Sequence, residues 1–163
     1  MLRPAEIPGV PAAPLRSPGA REAMARLAPR FPGRLDAIRD ACAVAPDPDL
    51  AVAGVERFAD AAGSLPDAAD LIAALATLCG ASRMIGALLA RRPVDLRRAA
   101  RGPHAARPRS EDELTRLVVR AIRPIDPEDV AGLHRALRRV RAREVIRIAL
   151  RDLLGARVEE VTA

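Results

Sequence analysis

The sequence predicts an all-α protein: an irregular bundle of about six helices, a long C-terminal connecting helix and a disordered, proline-rich N-terminal leader. Three observations lead there. Alanine makes up about a fifth of the 163 residues, and leucine and arginine supply much of the rest. These are strong helix formers, whereas the aromatic and β-branched residues that favour strands are scarce, Phe31 and Phe58 being the only aromatics. Finally, apolar residues recur at three- and four-residue spacing between proline and glycine breaks.

Residues 1–33 hold Pro4, Pro8, Pro11, Pro14, Pro18, Pro29 and Pro32. Such spacing forbids a long helix and predicts a flexible leader, with room for one short helical piece at Arg21–Leu27. The helical domain is expected over 34–163. Its first helix, Arg34–Val44, ends before Pro46, and Asp47 or Asp49 caps a second that runs to about Ala62. A third, Ala68–Cys79, carries Leu71, Leu75 and Leu78 on one face and is expected to close at Gly80. Ser82 is placed to cap Arg83–Arg91, and Pro93 permits a short helix through Ala100. A loop, Arg101–Arg109, follows. Ser110 with Glu113 three residues on is a capping-box pattern, opening a helix through Leu114, Leu117, Val118 and Ile122.

Asp126-Pro127-Glu128-Asp129 is the strongest helix start in the chain. It offers a cap, an N1 proline and first-turn acids that the helix dipole favours. The helix it opens is expected over about 127–154, stopping at Gly155. At 100° per residue, Val130, Leu133, Leu137 and Val140 share one side, while Ile146, Ala149, Leu150 and Leu153 lie nearly opposite. That pattern predicts a helix buried against one body in its first half and another in its second, the second lying outside this chain. The arginines Arg138, Arg139, Arg141 and Arg143, with Glu144, sit at the handover. Three readings stand for them: a solvated face, an ion-pair network with a neighbouring domain, or phosphate contact.

Net charge is +6, but it is spread thinly. Residues 1–62 are neutral, and 63–100, 101–126 and 127–163 each carry +2. All 27 basic residues are arginine, with lysine, asparagine, glutamine, tyrosine and tryptophan absent, as a GC-rich coding bias produces. Lacking aromatic stacking platforms or a known motif, the chain is not expected to bind nucleic acid. Cys42 and Cys79 stand far apart in alanine-rich helices and are expected as small buried apolar residues. His104 and His134 have no carboxylate or cysteine at ligand spacing, so a metal site is not expected. No apolar run reaches membrane-spanning length and no signal-peptide core is present, so the chain is expected to be soluble and cytoplasmic.

The stretch Leu137–Ala163, LRRVRAREVIRIALRDLLGARVEEVTA, resembles the helix before the first catalytic domain of bacterial glutamine synthetase adenylyltransferases, the bifunctional adenylyl-removing and adenylyl-transferring enzymes. The matching positions are Arg138, Arg139, Arg143-Glu144, Arg147-Ile148, Arg151-Asp152-Leu153, Gly155 and Glu159-Glu160-Val161-Thr162. A weaker likeness covers Leu78–Leu96, departing at Arg83 and Met84. The resemblance implies an N-terminal helical portion of an enzyme with two nucleotidyltransferase domains. One removes AMP from a tyrosine of glutamine synthetase by phosphorolysis, and the other adds AMP from ATP. It implies Mg²⁺ and ATP as cofactors of the full-length family, and glutamine synthetase and PII signalling proteins as partners. The family's catalytic signature, a Gly-rich strand followed by Ser-Asp-x-Asp, lies beyond the matched helix, so no catalytic, cofactor-binding or metal residue carries over. Asp47-Pro48-Asp49 is the only Asp-x-Asp, and its setting reads as a helix cap. The expectation is therefore a scaffold that is inactive alone, with Arg139, Arg143, Glu144, Arg147, Arg151 and Asp152 as a candidate charged face toward the nucleotidyltransferase domain. A free-standing helical interaction module is the alternative, and an Arg-rich nucleic-acid-binding helix the weaker one.

Overall fold

The computed structural model describes residues 14–101 and 107–153 of the chain. Among them lie eight α-helices, one 3-10 turn at Pro32–Arg34, and no strand.

Helix α1 (Pro18–Arg30) falls inside the stretch expected to be a leader. It is 13 residues long and buries Ala20, Ala23 and Leu27. Its prolines are placed where a helix tolerates them. Pro18 occupies the first turn behind the Ser17 cap, and Pro29 comes in the last turn, just before Phe31 ends the helix. The expectation for residues 1–13 lies outside the described residues. Helix α1 runs parallel to α3 (Pro48–Ala62), in step with it. The Asp49 carboxylate accepts from the backbone N–H groups of Arg16 and Ser17, while Arg26 pairs with Glu56 at 2.5 Å and Arg30 with Asp60 at 2.6 Å. A guanidinium–carboxylate rung every fourth residue on both helices fixes that register.

Helix α2 (Leu35–Ala43) buries Ile38, Ala41 and Cys42. Asp47 caps α3, accepting from the Leu50 N–H at 2.9 Å, and Gly63 ends it with φ 69°, a left-handed conformation that glycine adopts without a Cβ penalty. Helix α4 (Ala69–Ala81) is apolar nearly all round and buries eight of its 13 residues, as a central helix must. Gly80 does not cap it, contrary to expectation. The helix continues to Ala81, and Gly80 is buried where a Cβ would stand 2.9 Å from both the Ala45 Cβ and the Asp47 carbonyl. Gly54 permits an even closer approach of α3 to α4, since its Cβ would lie 2.4 Å from the Cys79 Cβ. Small residues at this crossing let two backbones pack together.

Ser82 ends α4 and caps α5 (Arg83–Arg91), accepting from Ile85 N–H. Helix α6 (Val94–Arg101) follows, then, beyond the undescribed 102–106, α7 (Glu111–Ile122) and α8 (Val130–Leu153). The capping box at Ser110 and Glu113 forms as its spacing predicts. Helix α8 begins three residues later than expected. Asp126 accepts from Glu128 N–H in a tight turn, and Asp129 makes the cap, accepting from Gly132 N–H at 2.8 Å. Its predicted end at Gly155 lies outside the described residues.

The main core joins α1 to α6 and takes Ile146 and Leu150 from α8. These two side chains are 0 % and 1 % exposed. The partner expected to lie outside the chain for this half of α8 is thus its own core, with α4, α5 and α6 packing on it. The predicted change of face is also overturned. The buried residues Gly132, Ala136, Val140, Ile146, Arg147, Leu150 and Arg151 fall within one sector of about 140° at 100° per residue. In the first half the small residues of α8 are the buried ones, because α7 returns along it, and the larger Val130 and Leu137 are left exposed.

Candidate functional site

Burial of charge marks one place in the molecule. Asp95, in the first turn of α6, is 1 % exposed, and Arg147 and Arg151 on α8 are 6 % and 4 % exposed. A buried carboxylate needs a full set of partners to offset its lost hydration. Asp95 has arginines on several sides. Arg143 donates its Nε–H to Oδ1 at 3.0 Å, Arg92 approaches Oδ2 at 2.9 Å, and Arg98 stands 3.9 Å from Oδ1. Arg92 and Arg98 come from the end of α5 and from α6, whereas Arg143 reaches across from α8, 48 residues away in sequence.

One turn along α8, a second cluster continues the first. Arg147 donates Nε–H to Glu144 at 2.8 Å and an Nη1–H to the Arg107 carbonyl at 3.1 Å. Arg109 pairs with the same Glu144 at 3.3 Å. Arg107 in turn holds Glu113, at 2.6 Å, with the pair closing the α7 capping box, and this hydrogen bond raises the Arg107 guanidinium above its ordinary value. Arginine suits these positions because its apolar stem packs in the core while its planar fork reaches several acceptors at once. The chain of contacts therefore runs from α5 and α6 through α8 to the start of α7.

The six residues predicted as a charged face do not share one exposed surface. Arg143, Glu144 and Arg147 enter the intramolecular network, Arg151 is buried one turn beyond Arg147, and Arg139 and Asp152 are exposed. Of the three readings of the arginine cluster, the ion-pair network describes Arg143, and solvent exposure describes Arg138, Arg139 and Arg141. The network's domain partner is α6 of the same chain. Sequence reasoning missed Asp95 as its hub. The available signal was the single acid in Arg91–Arg98, RRPVDLRR, where four arginines flank one carboxylate.

No described residues converge as nucleophile, base and orienting group. Cys42 and Cys79 are buried as expected, and burial pushes both thiols up to about 12, which removes thiolate character. The Asp47-Pro48-Asp49 pair does not fit a metal ion, because each carboxylate is spent on backbone N–H groups. Burial works to raise Asp49, but the N–H groups of Arg16 and Ser17 outweigh it and hold the carboxyl below its ordinary value. Among the described residues no group of three or more His, Cys, Asp or Glu side chains could hold a metal, and no helix is long and apolar enough to cross a membrane. What the network can do is fix the direction of α8 relative to α6 and α7.

The model of one protein family, described as glutamate-ammonia ligase adenylyltransferase, matches residues 72–163. That span begins in α4 and includes every element of the ion-pair network. No curated protein and no solved structure matches the chain.

Proposed function

The chain belongs to the glutamate-ammonia ligase adenylyltransferase family, and from that membership we propose that it serves as a helical scaffold of a glutamine synthetase adenylyltransferase and deadenylylase. In this reading α8 is the connecting helix toward a nucleotidyltransferase domain, and the chain supplies no catalytic carboxylate of its own. One observation supports it above others: the family match coincides with the helices that the Asp95, Arg143, Glu144 and Arg147 contacts tie together. Among the described residues, Asp95 and Glu144 serve ion pairs and Asp47 and Asp49 serve helix starts, whereas adenylyl transfer relies on carboxylates free to hold Mg²⁺ beside the phosphates. Glutamine synthetase, PII proteins, Mg²⁺ and ATP are then partners of the whole enzyme.

The test uses the full chain with Mg²⁺, inorganic phosphate and adenylylated glutamine synthetase. Phosphorolysis would form a bond from phosphate oxygen to the adenylyl phosphorus, free the tyrosine oxygen and release ADP. No ADP above background is expected, nor any label transferred from Mg-ATP to unmodified glutamine synthetase. Turnover in either direction, retained after repurification, overturns the proposal.

A further inference from the structure

The hairpin of α7 and α8 is built differently from the rest of the molecule. No residue of α7 is buried, although the helix is strongly amphipathic through Leu114, Leu117, Val118 and Ile122. Ala136 and Val140 of α8 are buried yet lie outside the main core cluster, so the hairpin forms a small layer of its own. Beside that layer, α8 carries exposed apolar residues on either side of Glu144. Val130 is 57 %, Leu137 41 % and Ile148 37 % exposed, with Leu133 half-buried between the first two. At 100° per residue these four fall within a sector of about 60°, and at 1.5 Å per residue they span about 27 Å. Glu144 shares the sector, with its carboxylate held by Arg109 and Arg147.

The outer edge of the line is basic. His134, Arg138 and Arg141 are exposed there, with Asp152 exposed further along the same edge, and neither arginine makes an ion pair with a described residue. This contrasts with the α1–α3 pair, where Arg26 and Arg30 each meet an acid on the facing helix. Residues 107–143 hold ten arginines against six acids, a net +4 of the chain's +6. Among the described residues, this apolar stripe and its basic border have no partner of opposite charge and matching periodicity.

We propose that this α8 surface docks an amphipathic helix whose apolar residues repeat at three and four and whose flank is acidic. Leu137 would be its central contact, with Arg138 and Arg141 pairing the acidic flank. Two copies of this chain would bring like charges together, which disfavours self-association through the same face. A nucleic acid would answer the arginines but leave Val130, Leu137 and Ile148 without apolar contact, which favours the helix. The inference rests on Leu137, Arg138 and Arg141, none of which enters the Asp95 network, so it stands or falls apart from the scaffold reading.

The experiment titrates the full chain into a fluorescein-labelled 18-residue peptide with leucines at helical spacing and glutamates along one edge. Counterparts carrying lysine for glutamate and serine for leucine serve as controls, alongside random duplex DNA, and sedimentation reports self-association. The acidic peptide is expected to bind and gain helicity, and both controls to bind at least roughly tenfold more weakly. Leu137→Asp is expected to abolish binding, and Arg138→Glu with Arg141→Glu to weaken it by roughly tenfold or more with a flatter salt dependence. These sites are exposed, so circular dichroism should show each variant folded. Binding that survives Leu137→Asp, equal binding of the lysine peptide, tighter binding of duplex DNA, or self-association through this face would each overturn the proposal.

Discussion

Asp95→Asn isolates the ion-pair hub, because it keeps the side-chain shape and removes the charge. Arg143 and Arg92, at 3.0 and 2.9 Å, are then left facing a neutral amide. Breaking a fully buried pair costs about 3–5 kcal/mol. Here the Arg143 and Arg92 side chains keep 36 % and 28 % of their exposure, so water can take up part of their charge. The loss should therefore be smaller, about 2–3 kcal/mol, close to one charged hydrogen bond with its desolvated acceptor. This equals roughly a fiftyfold fall in the folding constant, and for a chain of this size a drop in Tm of about 5–10 °C. Urea unfolding followed by circular dichroism measures it, and the midpoint should fall with an unchanged slope. Arg143→Met, which keeps the stem, completes a double-mutant cycle. The double variant should be less destabilised than the sum of the singles by about 1–2 kcal/mol. Arg138→Ala, at an exposed site, is the control and should stay within about 0.5 kcal/mol. If Asp95→Asn behaves like that control, or the cycle shows no coupling, α8 is not held by this carboxylate.

Two further outcomes test the core. Gly54→Ala should cost about 3 kcal/mol, because its Cβ would meet the Cys79 Cβ at 2.4 Å and Sγ at 2.7 Å. Cys79→Gly removes both atoms and leaves the Cys79 Cα at 3.5 Å, so the double variant should be more stable in urea than the summed singles allow. Cys42 and Cys79 should react with a disulfide reagent at pH 8 only after denaturation, since burial pushes both thiols up to about 12. The sign follows from the ordinary value of 9.0: the thiol contribution is fully present below it and is lost as pH rises from there toward about 12, because only the unfolded chain ionises in that window. Rapid native-state labelling, or stability that rises across that window, would contradict the burial.

The family match bears on how these helices are read, because its span, residues 72–163, includes every element of the ion-pair network. The Asp47-Pro48-Asp49 triplet shows why a short acidic motif needs its surroundings. Its spacing suits a metal pair, yet both acids satisfy backbone donors at the paired starts of α1 and α3.

Local chemistry was readable along the chain. Helical propensity, the Ser82 and Ser110 caps, a cap at one of Asp47 and Asp49, and the end of α3 at Ala62 each depend on neighbours within a few residues, and each appears where the sequence places it. The buried cysteines followed from their alanine-rich setting in the same way. Gly80 and the buried face of α8 were not readable, because each was decided by something distant, while the start of α8 moved because Asp129, not Asp126, makes the cap. Gly80 is set by a backbone approach from Asp47, a contact that outranks a glycine's usual place at a helix end. The buried face of α8 is set by where α7 and α6 lie. Gly132 is buried where the Asp129 carboxylate and Ile125 of the α7–α8 turn leave no room for a Cβ, and it and Ala136 are covered while the larger Val130 and Leu137 stay exposed. The approach of Asp95 makes it possible to bury part of an arginine that periodicity alone assigns to water. Hydrophobic periodicity records which residues gain from burial, but only tertiary packing supplies the surface or the counter-charge that decides which of them obtain it.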